Sequence, residues 1–249
     1  TEGLADRHAA SGVDADRLRA IGNGTDCHHF CPMPREEALA LLGLPAERTY
    51  IGFIGNIMPW HGLDVALGGF ASLADRHPQA DLLLLGGGPH LEALRERASC
   101  MGLAGRVRAP GPVPFASANA AINCFDLALL PLTLTRDIGF GFSAIKLRDY
   151  AAAGRVVLAG RVPGHTELAS EPWMLLHAPD DATDFARSLQ MWLAAPERWK
   201  DAGIAARTFA EDHFSWESIA RDIERLLASA IASKRAPSRL RTGRATAAP

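Results

Sequence analysis

Hydrophobic residues gather along this chain in short unbroken runs. They are Tyr50-Ile-Gly-Phe-Ile54, Leu82-Leu-Leu-Leu85, Leu127-Ala-Leu-Leu130, Val156-Val-Leu158 and Met174-Leu-Leu176. None alternates with polar residues. Strands buried on both faces have this signature, so the runs predict a parallel sheet covered by helices. Between them the spacing changes. Leu63, Ala66, Leu67, Phe70, Leu73 and Ala74 recur at the intervals of an amphipathic helix. Leu91, Leu94 and Ala98 begin another, which should end near Gly102. Strand and helix in alternation predict βαβ units and an α/β fold with a doubly wound parallel sheet.

From residue 181 to 232 the strand-like runs vanish and helical patterns take over, broken at Ala195-Pro196. Trp216, Ile219, Ile223, Leu226 and Leu227 form one stripe behind Ser215, a suitable N-cap. The last stretch, KRAPSRLRTGRATAAP (234–249), is basic and poor in apolar residues. It reads as a disordered tail, with attraction to an anionic membrane surface as the lesser alternative.

Composition narrows the picture only modestly. The chain has 249 residues, 48% of them hydrophobic and 22% charged, enough for a sizeable core. A net charge of -2 gives no global basic field, so a nucleic-acid partner is not expected. No apolar run approaches the roughly 20 residues of a membrane span. The opening TEGLADRHAA lacks the apolar centre of a signal peptide. With no initiator Met, the chain reads as a processed, tag-cleaved or excised piece. Four cysteines are few for a disulfide scaffold, which points to a reducing, cytoplasmic setting. CHHFC (27–31) holds metal-ligand residue types. Structural zinc needs four ligands, however, and no second pair follows at finger spacing. The simpler expectation is a loop anchored on the core by Phe30.

Ligands of open parallel sheets sit beyond the carboxyl ends of the strands. Four loops rich in Gly or Pro lie there: 55–62, 86–89, 110–114 and 132–143. In GNIMPWHG (55–62) the glycines allow close backbone approach, the helix start offers free N–H groups, and His61 adds a donor or a charge. The alternative is an ordinary turn with Trp60 as a packed lid. GGGP (86–89) is a turn into a helix and not a G-x-G-x-x-G dinucleotide fingerprint, so NAD is not expected.

The most informative stretch is GFGFSAIKLRDYAAAG (139–154). Ser143 can cap a helix over roughly 144–153, leaving N–H groups free at its positive end. Lys146 and Asp149, three apart, share a face. A cation there suits a bound anion, and a carboxylate one turn deeper can accept from a sugar diol. The competing reading is an ordinary ion pair on a solvated face. Ala151 to Ala153 permits close packing on the sheet.

Several of these motifs together resemble the C-terminal, donor-binding domain of the GT-B glycosyltransferases of family 4 (glycosyltransferase group 1). IGNGTD (21–26), followed by Phe30 and Pro32, resembles the family's entry loop. IGFIGNIMPWHGLDVAL (51–67), LLLLGGGP (82–89), VRAPGPVP (107–114) and FDLALLP (125–131) match in order. FSAIKLRDYAAAGRVVLA (142–159), GHTEL (164–168) and FSW (214–216) complete the series. The resemblance spans roughly residues 10–230. It implies a Rossmann-like domain over 21–180, helices over 181–232 packed on it, a tail over 233–249, and an interdomain segment over 1–20.

It also implies a retaining transferase using a UDP or GDP sugar without a metal cofactor. Gly55, Asn56 and His61 would then meet the diphosphate or donor sugar. Ser143, Ala144, Ile145 and Lys146 would hold the phosphates, and Asp149 the ribose hydroxyls. The backbone of Gly111 to Val113 would meet the base. Four positions depart from the pattern. Asp149 stands for the second glutamate of the family's motif, Gly141 for the first, and Asn56 and His61 for two common basic residues. The acceptor-binding domain of the family has no counterpart in this chain. A degenerate, non-catalytic binding module is therefore the second expectation, and a sugar-nucleotide epimerase of related fold a third.

Overall fold

Six strands lie parallel in one sheet: β1 (Thr49–Ile54), β2 (Ala80–Leu85), β3 (Val107–Gly111), β4 (Leu127–Leu130), β5 (Val157–Gly160) and β6 (Met174–His177). Their order is β3-β2-β1-β4-β5-β6. The computed structural model describes residues 2–134 and 145–235. Every residue of β2, β4 and β5 is buried, as their unbroken apolar runs require. β3 is the strand that the apolar pattern does not reveal. It is an edge strand carrying Arg108 and Pro110, and its residues are half-buried or exposed. Edge positions tolerate both a charge and a proline.

The chain starts in the middle of the sheet and winds outward twice. α3 (Leu63–Ala71) and α4 (Leu91–Cys100) carry it from β1 to β2 to β3. α5 (Ala118–Asn123) returns it to β4, and α6 (Ile145–Ala152) leads on to β5. Right-handed crossovers in opposite directions place the two sets of helices on opposite faces. The direction reverses between β1 and β4, which pair directly at Ile51–Leu127 and Gly52–Ala128. This is the switch point of a doubly wound fold.

Two further helices precede the sheet, α1 (Glu2–Ala10) and α2 (Arg35–Leu42), and three follow it. α7 (Ala182–Leu193) is capped by Asp181, whose side chain accepts from the N–H groups of Thr183 and Asp184 at 2.9 Å. It packs on α3, and α8 (Trp199–Phe209) packs on α6. A Cβ on Gly203 would stand 2.5 Å from the Gly154 carbonyl oxygen, so α8 meets the turn after α6 backbone on backbone. α9 (Trp216–Arg235) begins as expected at Ser215, whose Oγ accepts from Ser218 N–H at 3.1 Å.

At the amino ends of the strands, buried charges are saturated. Arg35 holds the Asp126 carboxylate through both oxygens, at 2.7 and 2.9 Å. Asp81, fully buried, receives Arg48, Arg106 and Arg108. Burial alone would raise its carboxyl, but the hydrogen bonds from Arg48 and Arg108 hold it below the ordinary carboxylate range. Phe30 anchors the CHHFC loop in the core, beside buried Cys27. Among the described residues no three metal-ligating side chains converge.

Candidate functional site

The loops at the carboxyl ends of the strands are stitched together through their backbones. Gly55 N–H donates to Leu85 O at 2.8 Å, Ile57 N–H to Gly87 O at 2.7 Å, and Gly86 N–H to Gly111 O at 2.9 Å. This explains GGGP better than a tight turn does. A Cβ on Gly86 would lie 2.0 Å from the Gly55 carbonyl oxygen, and one on Gly88 would lie 2.3 Å from that of Ile57. The loop after β4 joins in. Leu132 N–H donates to His61 O and Thr133 N–H to Trp60 O, both at 3.1 Å. Leu132 takes a φ of 38° to do so, a rare conformation for a branched side chain. The switch point is thus floored by main chain from four loops.

α6 supplies the side chains. Ile54 N–H, at the end of β1, donates to the Tyr150 hydroxyl at 3.1 Å, and Tyr150 is fully buried. That bond fixes the register of α6 against β1. One turn nearer the helix start, Lys146 lies over Gly55. A Cβ there would meet Lys146 Cε at 2.4 Å, so the path of this lysine needs the glycine. Its Nζ sits 5.4 Å from the centre of the Phe53 ring. Burial pushes the Lys146 ammonium below its ordinary value, and the Asp149 charge opposes that. Neither Lys146 nor Asp149 makes an ion pair within 4 Å among the described residues. The ordinary ion pair on a solvated face is therefore not what this helix builds.

Asp149 looks elsewhere. Its Oδ1 accepts from the Thr25 hydroxyl at 2.6 Å. Burial pushes its carboxyl up, while the Thr25 hydrogen bond and the charges of Arg148, Lys146 and His29 oppose the rise. Thr25 and Phe53 are site residues that sequence reasoning missed. The one signal for Thr25 is a hydroxyl inside the glycine turn IGNGTD.

The remaining candidates fall around this centre. Asn56 is exposed beside the Gly88 turn, its amide 3.3 Å from Met58 Sδ. His61 is buried, its ring 5.2 Å from that of Phe53, and its Nδ1 accepts from Met58 N–H at 3.3 Å. One ring nitrogen is thus already engaged. Gly111 and Val113 lie at the end of β3, two strands from Lys146, joined to the centre through Gly86. Ile145 opens α6 and is half exposed. Gly141, Ser143 and Ala144 lie outside the described residues, as does the tail beyond residue 235.

A cavity of about 380 Å³ lies at the opposite end, by the amino ends of β4 and β5, lined by Asp126, Arg155, Trp199 and Arg207 among others. Its acid and one of its arginines are already engaged, Asp126 by Arg35 and Arg207 by Glu211. The chemistry therefore favours the switch point over this hollow.

A doubly wound sheet with a glycine loop at its switch point, and beside it a lysine that forms no ion pair among the described residues, defines an α/β domain of Rossmann-like type. The chain belongs to the glycosyl transferases group 1 family, whose model matches residues 48–195. It is 30% identical over 222 residues to D-inositol 3-phosphate glycosyltransferase 2 of Catenulispora acidiphila, covering 84% of this chain and 50% of that protein. It is 28% identical to a GDP-mannose-dependent alpha-(1-6)-phosphatidylinositol monomannoside mannosyltransferase of Mycolicibacterium smegmatis, covering 89% and 59%. The fold is shared with HepE of Anabaena, solved with UDP: TM-score 0.78 at 19% identity, covering 90% of this chain and 61% of HepE. The chain thus spans about half the length of the curated relatives it matches. Among the described residues no helix is long and apolar enough to cross a membrane.

Proposed function

We infer that this chain is the donor-binding half of a retaining glycosyltransferase, taking a UDP- or GDP-linked hexose at the carboxyl ends of β1 and β4. One observation carries the reading: the Lys146 ammonium lies over the Gly55 backbone at the switch point without an acidic partner among the described residues. A diphosphate is the natural counter-charge. Ser143, Ala144 and Ile145 would add helix-start N–H groups, Asn56 and His61 would line the donor, and Asp149 would hold the ribose. The base would lie against Gly111 to Val113. Lys146 would then stabilise the nucleoside diphosphate as charge develops on it during sugar departure, with no metal required. Transfer also needs the acceptor held in line. This chain by itself should bind donor and transfer little.

Two features favour a second reading, a binding module that no longer catalyses. Gly141 offers no side chain where the family places an acid, and the His61 ring is already engaged by Met58 N–H. The deciding measurement is thermal unfolding with UDP, GDP and NAD. UDP or GDP at about 100 times its dissociation constant should add about 2.7 kcal/mol of stability, and NAD should add none. No response to either diphosphate overturns both readings. Binding without sugar release, in a protein that also carries the acceptor half, favours the second.

A further inference from the structure

Thr25 and Asp149 are 124 residues apart in the chain and 2.6 Å apart at their side-chain oxygens. Thr25 has little freedom to turn away. It is 2% exposed. Its N–H donates to Phe214 O at 2.7 Å, and its carbonyl accepts from Trp216 N–H at 3.2 Å. The segment between α8 and α9 therefore fixes it on both sides, in a parallel bridge to Ser215. β-branching further limits its rotamers. Asp149 has no other side-chain hydrogen bond among the described residues, so none of them donates to Oδ2.

We propose that Thr25 is the positioning residue of this site: its hydroxyl fixes Asp149 Oδ1 and leaves Oδ2 as the oxygen presented to a ligand hydroxyl. The ligand part rests on the reading of Asp149 as the ribose-holding group. A half-buried carboxylate is of use to a diol only if it stays ionised and keeps its orientation. One hydrogen bond from outside the helix serves both ends, because a donor to the charged form favours that form. The groups facing this carboxylate are Lys146 and Arg148 from α6, His29 from the loop before α2, and Thr25 itself. The hydroxyl is the largest influence opposing burial.

The test is a pH titration of the Asp149 side-chain carbon by NMR in the ligand-free chain, with the signal assigned by its loss in Asp149→Asn. Thr25→Val keeps the branched shape and removes the donor, so the titration midpoint should move to higher pH. Thr25→Ser should restore it. If Thr25→Val folds poorly, Thr25→Ala carries the same comparison. A residue that merely packs would leave the midpoint where it is, and an unmoved midpoint overturns the proposal. Calorimetry with UDP and GDP then separates the two claims. Thr25→Val should weaken the diphosphate that binds by about tenfold at neutral pH, and Thr25→Ser should recover most of it. A shifted midpoint with unchanged affinity would leave the carboxylate positioned by Thr25 but remove ribose as its ligand.

Discussion

Lys146 differs from the other buried charges of this protein in what surrounds it. Asp81 and Asp126 at the amino ends of the strands are saturated by arginines. Lys146 instead has a backbone glycine beneath its stem, an aromatic ring near its ammonium and a carboxylate that acts only at a distance. Desolvating a cation without pairing it is unfavourable, which is why its charge is weakened on folding. An arriving anion reverses that effect. Lys146→Ala should therefore weaken a nucleoside diphosphate by about 1–3 kcal/mol, the scale of a charge-assisted hydrogen bond. The matching nucleoside should bind almost unchanged, as read by calorimetry. Equal losses for both ligands would mean that the lysine supports the fold and not the phosphates.

At the scale of the element, α6 works because one residue locks it to β1. Tyr150→Phe removes the acceptor of the Ile54 N–H in a fully buried place. It should cost about 1–3 kcal/mol in urea unfolding, the price of a buried donor left unpaired. Diphosphate affinity should fall with it, because the same helix carries Lys146. An unchanged urea midpoint would show that the Ile54 N–H finds another partner. The sheet was legible in the sequence because its central strands are buried on both faces and so leave apolar runs. β3 leaves no apolar run, because an edge strand can carry Arg108 and Pro110, and only the resemblance of VRAPGPVP and the loop at 110–114 marked its place. The face shared by Lys146 and Asp149 followed from helical spacing. Spacing could not reveal that the lysine turns to Gly55 and the acid to Thr25, since both partners come from other elements. Likewise GGGP shows its glycines locally, while their reason, the Gly55 and Ile57 carbonyls pressed against them, is a tertiary fact.

For the whole molecule, the question is what α9 meets. Ile219 faces inward at 8% exposure, but Ile223, Leu227 and Ile231 recur every four residues and are 40%, 58% and 54% exposed. Trp216 at the start of the helix is half exposed as well. Residues four apart lie on one side of a helix, so this is a continuous apolar stripe. Covering such side chains is worth about 1.5–3 kcal/mol each, and a stripe left in water favours association. The relatives are about twice as long as this chain, and a second domain in such a protein is the natural cover. By itself, the chain should self-associate through α9 as concentration rises in sedimentation velocity. Leu227→Glu with Ile231→Glu should return it to a monomer. UDP or GDP affinity should stay as it was, because the proposed donor site draws on the loops after β1 to β4 and on α6. Association that survives both glutamates would place the contact elsewhere. Loss of nucleotide affinity along with association would instead make α9 a working wall of the site, reached through the Trp216–Thr25 hydrogen bond that joins this helix to Asp149.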